Sequence, residues 1–213
     1  QTIAQTKKLT DYLKAQAPKE APLLVAVEYT EKEMNLFGNK KETLGVSSPA
    51  MMVAKKDLSE ASAIYEQMAH EMASAGINLN LAPVLDLQSK TYHSKKEIDS
   101  SYSSYEEIVT TYATLFIDAM SQKKVISAGK YFPMAGTNLW DNFSSVSDVT
   151  DFWHFEQLKP YYDLIATNKI HAVVVSNAIN KALDPNEPAL FSKLIIQKIK
   201  KKKMHFNGIV IAD

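Results

Sequence analysis

Short, continuous apolar runs alternate along this chain with longer segments in which apolar residues recur at helical spacing. The runs lie at Leu23–Glu28, Ile77–Leu81, Val125–Gly129, His171–Ser176 and Gly208–Ala212, with a weaker one at Leu44–Ser47. Because their polarity does not alternate, they predict parallel strands buried on both faces. The segments between them predict helices at Leu58–Ala75, Tyr105–Gln122, Phe155–Asn168 and Lys193–Lys203.

Repeated strand–helix units favour an α/β fold with a parallel sheet. Five or six predicted strands fall short of the eight in a (β/α)8 barrel of about 250 residues. We therefore expect residues 1–213 to form a single TIM-type barrel domain that is incomplete and cut at both ends. The first residues resemble the middle of an amphipathic helix, and Gly76 is expected to end the helix that precedes it.

Composition narrows the range of functions. The net charge is zero, which argues against nucleic acid or an anionic membrane surface as a partner, and no run is long enough to cross a membrane. All 24 basic residues are lysine, so no guanidinium is present to grip a carboxylate or sugar with two parallel bonds. Cysteine is absent and the five histidines are scattered, so neither a metal site nor a cofactor is expected.

Several motifs occur in a fixed order along the chain. Residues 130–136 read Lys-Tyr-Phe-Pro-Met-Ala-Gly, residues 76–86 read Gly-Ile-Asn-Leu-Asn-Leu-Ala-Pro-Val-Leu-Asp, and residues 22–28 read Pro-Leu-Leu-Val-Ala-Val-Glu. Further motifs lie at 171–177, 182–192 and 208–213. Together they resemble the N-terminal barrel of family 3 glycoside hydrolases, in the β-N-acetylglucosaminidase branch.

The resemblance implies two catalytic positions. Asp213 holds the position of the family's nucleophilic aspartate, and a helix cap or an incidental terminus is the alternative reading. Asp141 matches the aspartate of the family's acid–base Asp–His pair, whereas Phe143 occupies the histidine position. A phenyl ring cannot transfer a proton, so Asp141 either acts directly or is an exposed side chain or helix cap.

The same resemblance implies a substrate-binding group of Glu28, Lys130, Tyr131, Asp86 and Asn177. Glu28 stands where the family has aspartate, and Tyr131 and Asn177 stand where it has histidines. Tyr131 is expected to donate a hydrogen bond to the sugar or to stack on it. Asp86 is expected either to contact ligand or to brace the barrel. A set of aromatic side chains forms either a sugar platform or ordinary packing, namely Trp140, Phe152, Trp153 and Phe155.

Three functions follow as expectations. The first is a hydrolase-like domain with a degenerate active site, inactive or weakly active, that binds N-acetylglucosamine-containing glycans such as muropeptides. The second is an active retaining β-N-acetylhexosaminidase that uses Asp213. The third is a docking module, fused to or packed against another domain, that binds no sugar. The compartment is left open, with the bacterial periplasm or cell envelope as the working expectation.

Overall fold

The sheet is a half-barrel of parallel strands. The computed structural model describes residues 2–30, 48–88, 100–135, 146–197 and 204–213. Within these ranges five strands pair in chain order, each parallel to its neighbour. They are β1 (Ala26–Val27), β2 (Leu79–Asn80), β3 (Ile126–Phe132), β4 (Ala172–Val175) and β5 (Ile209–Ala212). The predicted incomplete TIM-type barrel is confirmed, although β1 and β2 are shorter than predicted. The weak strand at Leu44–Ser47 lies outside the described residues.

The helices alternate with the strands. They are α1 (Ile3–Gln16), α2 (Pro49–Lys55), α3 (Leu58–Ser74), α4 (Glu106–Gln122), α5 (Lys159–Ala166) and α6 (Lys193–Gln197), with a 3-10 turn at Phe155–Leu158 before α5. The predicted helix Phe155–Asn168 is therefore divided into two elements, and Pro160 lies in the first turn of α5. Helix α2 was not predicted. The part of the predicted Lys193–Lys203 helix beyond Gln197 falls outside the described residues.

Three helix ends follow directly from local sequence. The prediction that the first residues are the middle of a helix is wrong, because Thr2 forms a capping box with Gln5: the Thr2 hydroxyl accepts the Gln5 N–H at 3.2 Å and the Gln5 side chain accepts the Thr2 N–H at 3.0 Å. Helix α3 begins with a similar box between Asp57 and Glu60. It ends as predicted at Gly76, whose φ of 77° places it in the left-handed region.

Alternate side chains of each strand face opposite sides of the curled sheet. The outward set, which includes Val173 and Val175, packs with α3, α4 and α5 in the main core. The inward set forms a smaller cluster of Leu79, Leu81, Ile126, Ala128, Ala172, Val174 and Ile211. Continuing this alternation to the carboxyl ends of the strands places four polar side chains on the inward side. They are Glu28, Lys130, Ser176 and Asp213.

Candidate functional site

Lys130 is the central charged group at the strand ends. Its side chain is 2% exposed, and its ammonium forms an ion pair with the Glu28 carboxylate, whose side chain is 49% exposed. The same ammonium lies 4.7 Å from the ring centroid of Tyr131, within the range of a cation–π interaction. The lysine is therefore held from two directions, and Glu28 leaves one side of the pair open to solvent.

Asp213 lies on the same inward face as Lys130. Its backbone N–H donates to the Val175 carbonyl at 3.1 Å, which extends the pairing of β5 with β4 to this residue. Although the residue as a whole is exposed, burial raises the pKa of its carboxyl, Lys130 lowers that pKa, and Glu28 raises it. The structure thus brings Glu28, Lys130 and Asp213 within electrostatic reach of one another. This grouping has two carboxylates and one ammonium at the carboxyl ends of parallel strands, where barrel enzymes bind substrate.

Asp86 braces the end of β3 and the residues that follow it. One of its carboxylate oxygens accepts the Tyr131 N–H at 3.2 Å, and the other accepts the Ala135 N–H at 2.7 Å. The Ser101 hydroxyl donates to the Asp86 carbonyl. These contacts correspond to the bracing role, which is one of the two roles expected for Asp86.

Two other expected binding residues show different environments. Tyr131 is 8% exposed and packs with Val84 and Ala135, so its ring presents little surface for stacking on a sugar. Asn177 follows β4 half-buried, and its side chain forms no hydrogen bond with another residue in the described ranges. Asp141 and Phe143 lie outside the described residues, so their expected roles stay predictions.

The aromatic residues near residue 153 differ in how far they are packed. Trp153 contacts the cluster of Met134, Val149 and Ala178. The ring of Phe155 lies 5.9 Å from that of Tyr162. Trp153 thus matches the packing alternative, whereas Phe152 and Phe155 are 46% and 55% exposed. Trp140 lies outside the described residues.

Ser176 is a site-bordering residue that the sequence reasoning missed. It is fully buried, and its hydroxyl donates to the Met134 carbonyl at 2.9 Å while its N–H donates to the Phe132 carbonyl at 2.8 Å. The signal was present in the pattern, because Ser176 falls two residues after Val174 and so shares its inward face.

A cavity of about 370 Å³ opens beside the segment that Asp86 braces. Its lining includes Leu87 and Met134, together with acidic side chains from the start of α4 and the turn before α5. Glu28, Lys130 and Asp213 are not part of the lining, so this cavity is separate from the strand-end group. In the ranges that the structure describes, no helix is both long and apolar enough to span a bilayer.

Comparison with known proteins gives a family match and several relatives. A family model described as the glycosyl hydrolase family 3 N-terminal domain matches residues 1–213. A protein named β-hexosaminidase from Tolumonas auensis is 32% identical over 199 residues, which cover 90% of this chain and 57% of that protein. Another of the same name from Haemophilus influenzae is 37% identical over 151 residues, which cover 69% of this chain and 42% of that protein. The chain thus spans about half the length of these curated relatives.

Solved structures share the fold at lower identity. A β-N-acetylhexosaminidase from Beutenbergia cavernae superposes with a TM-score of 0.77 at 23% identity, covering 100% of this chain and 65% of that one. A fungal multi-domain family 3 β-N-acetylglucosaminidase gives a TM-score of 0.80 at 19% identity, covering 100% of this chain and 26% of that one. The family match over the whole chain, on a parallel half-barrel with charged strand ends, shows that this chain belongs to the N-terminal domain of glycosyl hydrolase family 3.

Proposed function

We propose that this domain binds a terminal N-acetylhexosamine of a glycan at its strand ends and hydrolyses the glycosidic bond weakly or not at all. The observation that carries the binding part is the position of Lys130, whose buried ammonium is paired with Glu28 and is close enough to Asp213 to lower the pKa of that carboxyl. An ammonium and two carboxylates in one place supply both donors and acceptors for sugar hydroxyls. The names of the curated relatives support an N-acetylhexosamine as the sugar.

The weak hydrolysis is inferred from the sequence of the segment after β3. Phe143 occupies the position at which the family has its proton-transferring histidine. General acid–base assistance contributes ~10²–10⁴ in rate, so its loss leaves little turnover unless another acid replaces it.

Retaining hydrolysis is the second candidate, and the placement of Asp213 beside Lys130 favours it. In this scheme the Asp213 carboxylate attacks the anomeric carbon and forms a covalent glycosyl–enzyme bond, while the leaving oxygen takes a proton from an acid such as Asp141. The acid, now a base, then removes a proton from the water that releases the sugar. Burial raises the pKa of Asp213, and Lys130 offsets part of that rise in favour of the ionised form that the first step requires.

The docking-module alternative depends on whether the strand ends are filled by bulky side chains. Tyr29 and Met134 are two bulky side chains in the segments that follow β1 and β3. The Tyr29 hydroxyl instead donates to Glu71 at 2.8 Å on the outer side of the sheet, and Met134 packs with Val149. Glu28 keeps an exposed carboxylate. These positions support sugar binding over docking alone.

Two measurements on the full-length protein test the proposal. Calorimetric titration with N-acetylglucosamine and with muropeptides is expected to show binding that Lys130→Ala abolishes. Lys169→Ala is the matched control, because Lys169 pairs with Asp118 through a 2.7 Å contact between helix α4 and the turn before β4. Absence of binding in the unmodified protein would leave the docking module as the remaining function.

Hydrolysis of a chromogenic β-N-acetylglucosaminide distinguishes weak or absent activity from active retaining hydrolysis. We expect turnover near the uncatalysed rate. Sustained turnover that disappears in Asp213→Asn would contradict the weak-activity proposal and establish the retaining mechanism in its place.

A further inference from the structure

The stretch 131–135, which includes the end of β3 and the residues after it, is anchored by the loop after β2 on one side and by the end of β4 on the other. On the β2 side, the Asp86 carboxylate accepts the N–H of Tyr131 at 3.2 Å and that of Ala135 at 2.7 Å. On the β4 side, the Ser176 hydroxyl donates to the Met134 carbonyl at 2.9 Å. A single carboxylate thus bridges the first and last residues of the stretch 131–135.

The start of this stretch is directly connected to the charged group at the strand ends. Lys130 accepts the Leu85 N–H at its carbonyl and donates its own N–H to the Pro83 carbonyl at 3.0 Å. Its ammonium lies 4.7 Å from the centroid of the Tyr131 ring. Because Asp86 holds the backbone of Tyr131, it also fixes the ring on which the ammonium rests.

Burial makes this arrangement stiff. Lys130, Tyr131 and Ala135 are 2%, 8% and 1% exposed. A charged acceptor for two backbone N–H groups is stronger than a neutral one, by a factor of about two for each bond. The lysine therefore has little freedom to move unless the Asp86 contacts break.

We propose that Asp86 is a positioning residue: its carboxylate holds Tyr131 and Ala135 so that the Tyr131 ring supports the Lys130 ammonium in the sugar-binding position. Asp86 acts through its neighbours and does not contact the sugar. This inference rests on the proposed function for its consequence in binding, but the geometry that it describes exists without ligand.

The test compares Asp86→Asn with Asp184→Asn. The amide keeps one acceptor oxygen and presents an NH₂ donor to a backbone N–H that needs an acceptor, so it can hold only one end of the stretch. Asp184 is a matched carboxylate in another loop, because it is 4% exposed and accepts the Asn186 N–H at 2.9 Å and the Ser192 hydroxyl at 2.6 Å. Both changes remove comparable hydrogen bonds from a loop.

The first readout is the proton shift of the Lys130 ε-methylene in the ligand-free, lysine-labelled full-length protein, assigned by its absence in Lys130→Met. The Tyr131 ring should shift this signal upfield. We expect Asp86→Asn to reduce that shift and Asp184→Asn to leave it unchanged. An unchanged Lys130 signal in Asp86→Asn, or an equal change in both variants, overturns the inference.

The second readout is affinity for N-acetylglucosamine by calorimetry. Asp86→Asn is expected to weaken binding about tenfold, which is the scale of one lost cation–π contact, and Asp184→Asn to change it less than about twofold. If the unmodified protein binds no sugar, the proposed function fails, while the Lys130 signal still decides the positioning role. Should Asp86→Asn not fold, Tyr131→Leu tests the same route, since it keeps the backbone bond and removes the ring. An unaltered Lys130 shift in that variant would likewise refute it.

Discussion

Asn78, just before β2, and Asn80, at its end, offer a matched test of how burial sets the strength of a hydrogen bond. Asn80 is 0% exposed; its side-chain oxygen accepts the Tyr29 N–H at 2.9 Å and its amide donates to the Tyr29 carbonyl at 2.9 Å. Asn78 forms a similar pair, accepting the Val25 N–H at 2.7 Å and donating to the Leu23 carbonyl at 3.0 Å, but it is only partly buried. Both side chains hold the segment that contains β1.

The expected cost of removing each side chain follows from these environments. In Asn80→Ala, two net hydrogen bonds of about 1 kcal/mol each are lost, and water cannot reach the backbone groups to replace them. A further cost of about 1 kcal/mol arises from desolvated groups and the small void, so the free energy of unfolding should fall by about 3 kcal/mol. In Asn78→Ala, water replaces the lost partners and the fall should be about 1 kcal/mol.

Urea denaturation of the two variants in the full-length protein at neutral pH measures both values. Equal losses, or a loss below about 1 kcal/mol for Asn80→Ala, would show that burial does not set the cost as argued. Because Tyr29 follows Glu28, Asn80→Ala should also weaken sugar binding, whereas Asn78→Ala should not.

Three other changes have defined outcomes. The pKa of Asp213 is raised, so the free energy of unfolding should fall as the pH rises from about 4 through that pKa. Lys130→Met should raise the pKa of Asp213 further, which carbon-13 titration of the carboxyl measures. The pKa of Asp148 is lowered to about 2, chiefly by the Lys181 ammonium at 2.7 Å, so Lys181→Met should return it toward the ordinary value; an unmoved titration would show that Thr150 alone is responsible. In Gly129→Ala, the added methyl group would collide with the side chains of Ile170 and Leu85, so thermal unfolding should show a loss of about 1–3 kcal/mol, and an unchanged midpoint would contradict the packing described.

The sequence predicts β3, β4 and β5 well, whereas β1 and β2 are shorter than predicted. Strand β4 falls within its predicted run because its four residues are all buried. Strand β1 has two residues in place of the predicted run, because the Asn78 and Asn80 side chains take over pairing that a longer ladder would supply. When side chains take the place of backbone hydrogen bonds between strands, the pattern of apolar residues along the sequence does not change.

For the site, the resemblance to the family identifies Glu28, Lys130 and Asp213, and the structure then places all three on the inward side of the strands. The same reasoning does not reveal that Tyr131 is covered or that Asp86 serves backbone groups. Both facts depend on the path of the chain at the end of β3 and beyond it, which no local pattern specifies. Helix α2 was not predicted for a simpler reason. It is only seven residues long and begins at Pro49, so it is too short to show a helical pattern of apolar residues.

The alternation of inward and outward side chains has an evolutionary consequence. The side chains that pack against the helices and those that face the site alternate along the same strands. Selection can therefore act on one set without altering the other. A lineage can exchange histidine for tyrosine or lengthen an acid by one methylene at the strand ends while its scaffold persists. Chemistry in such a domain is free to drift long before the architecture does.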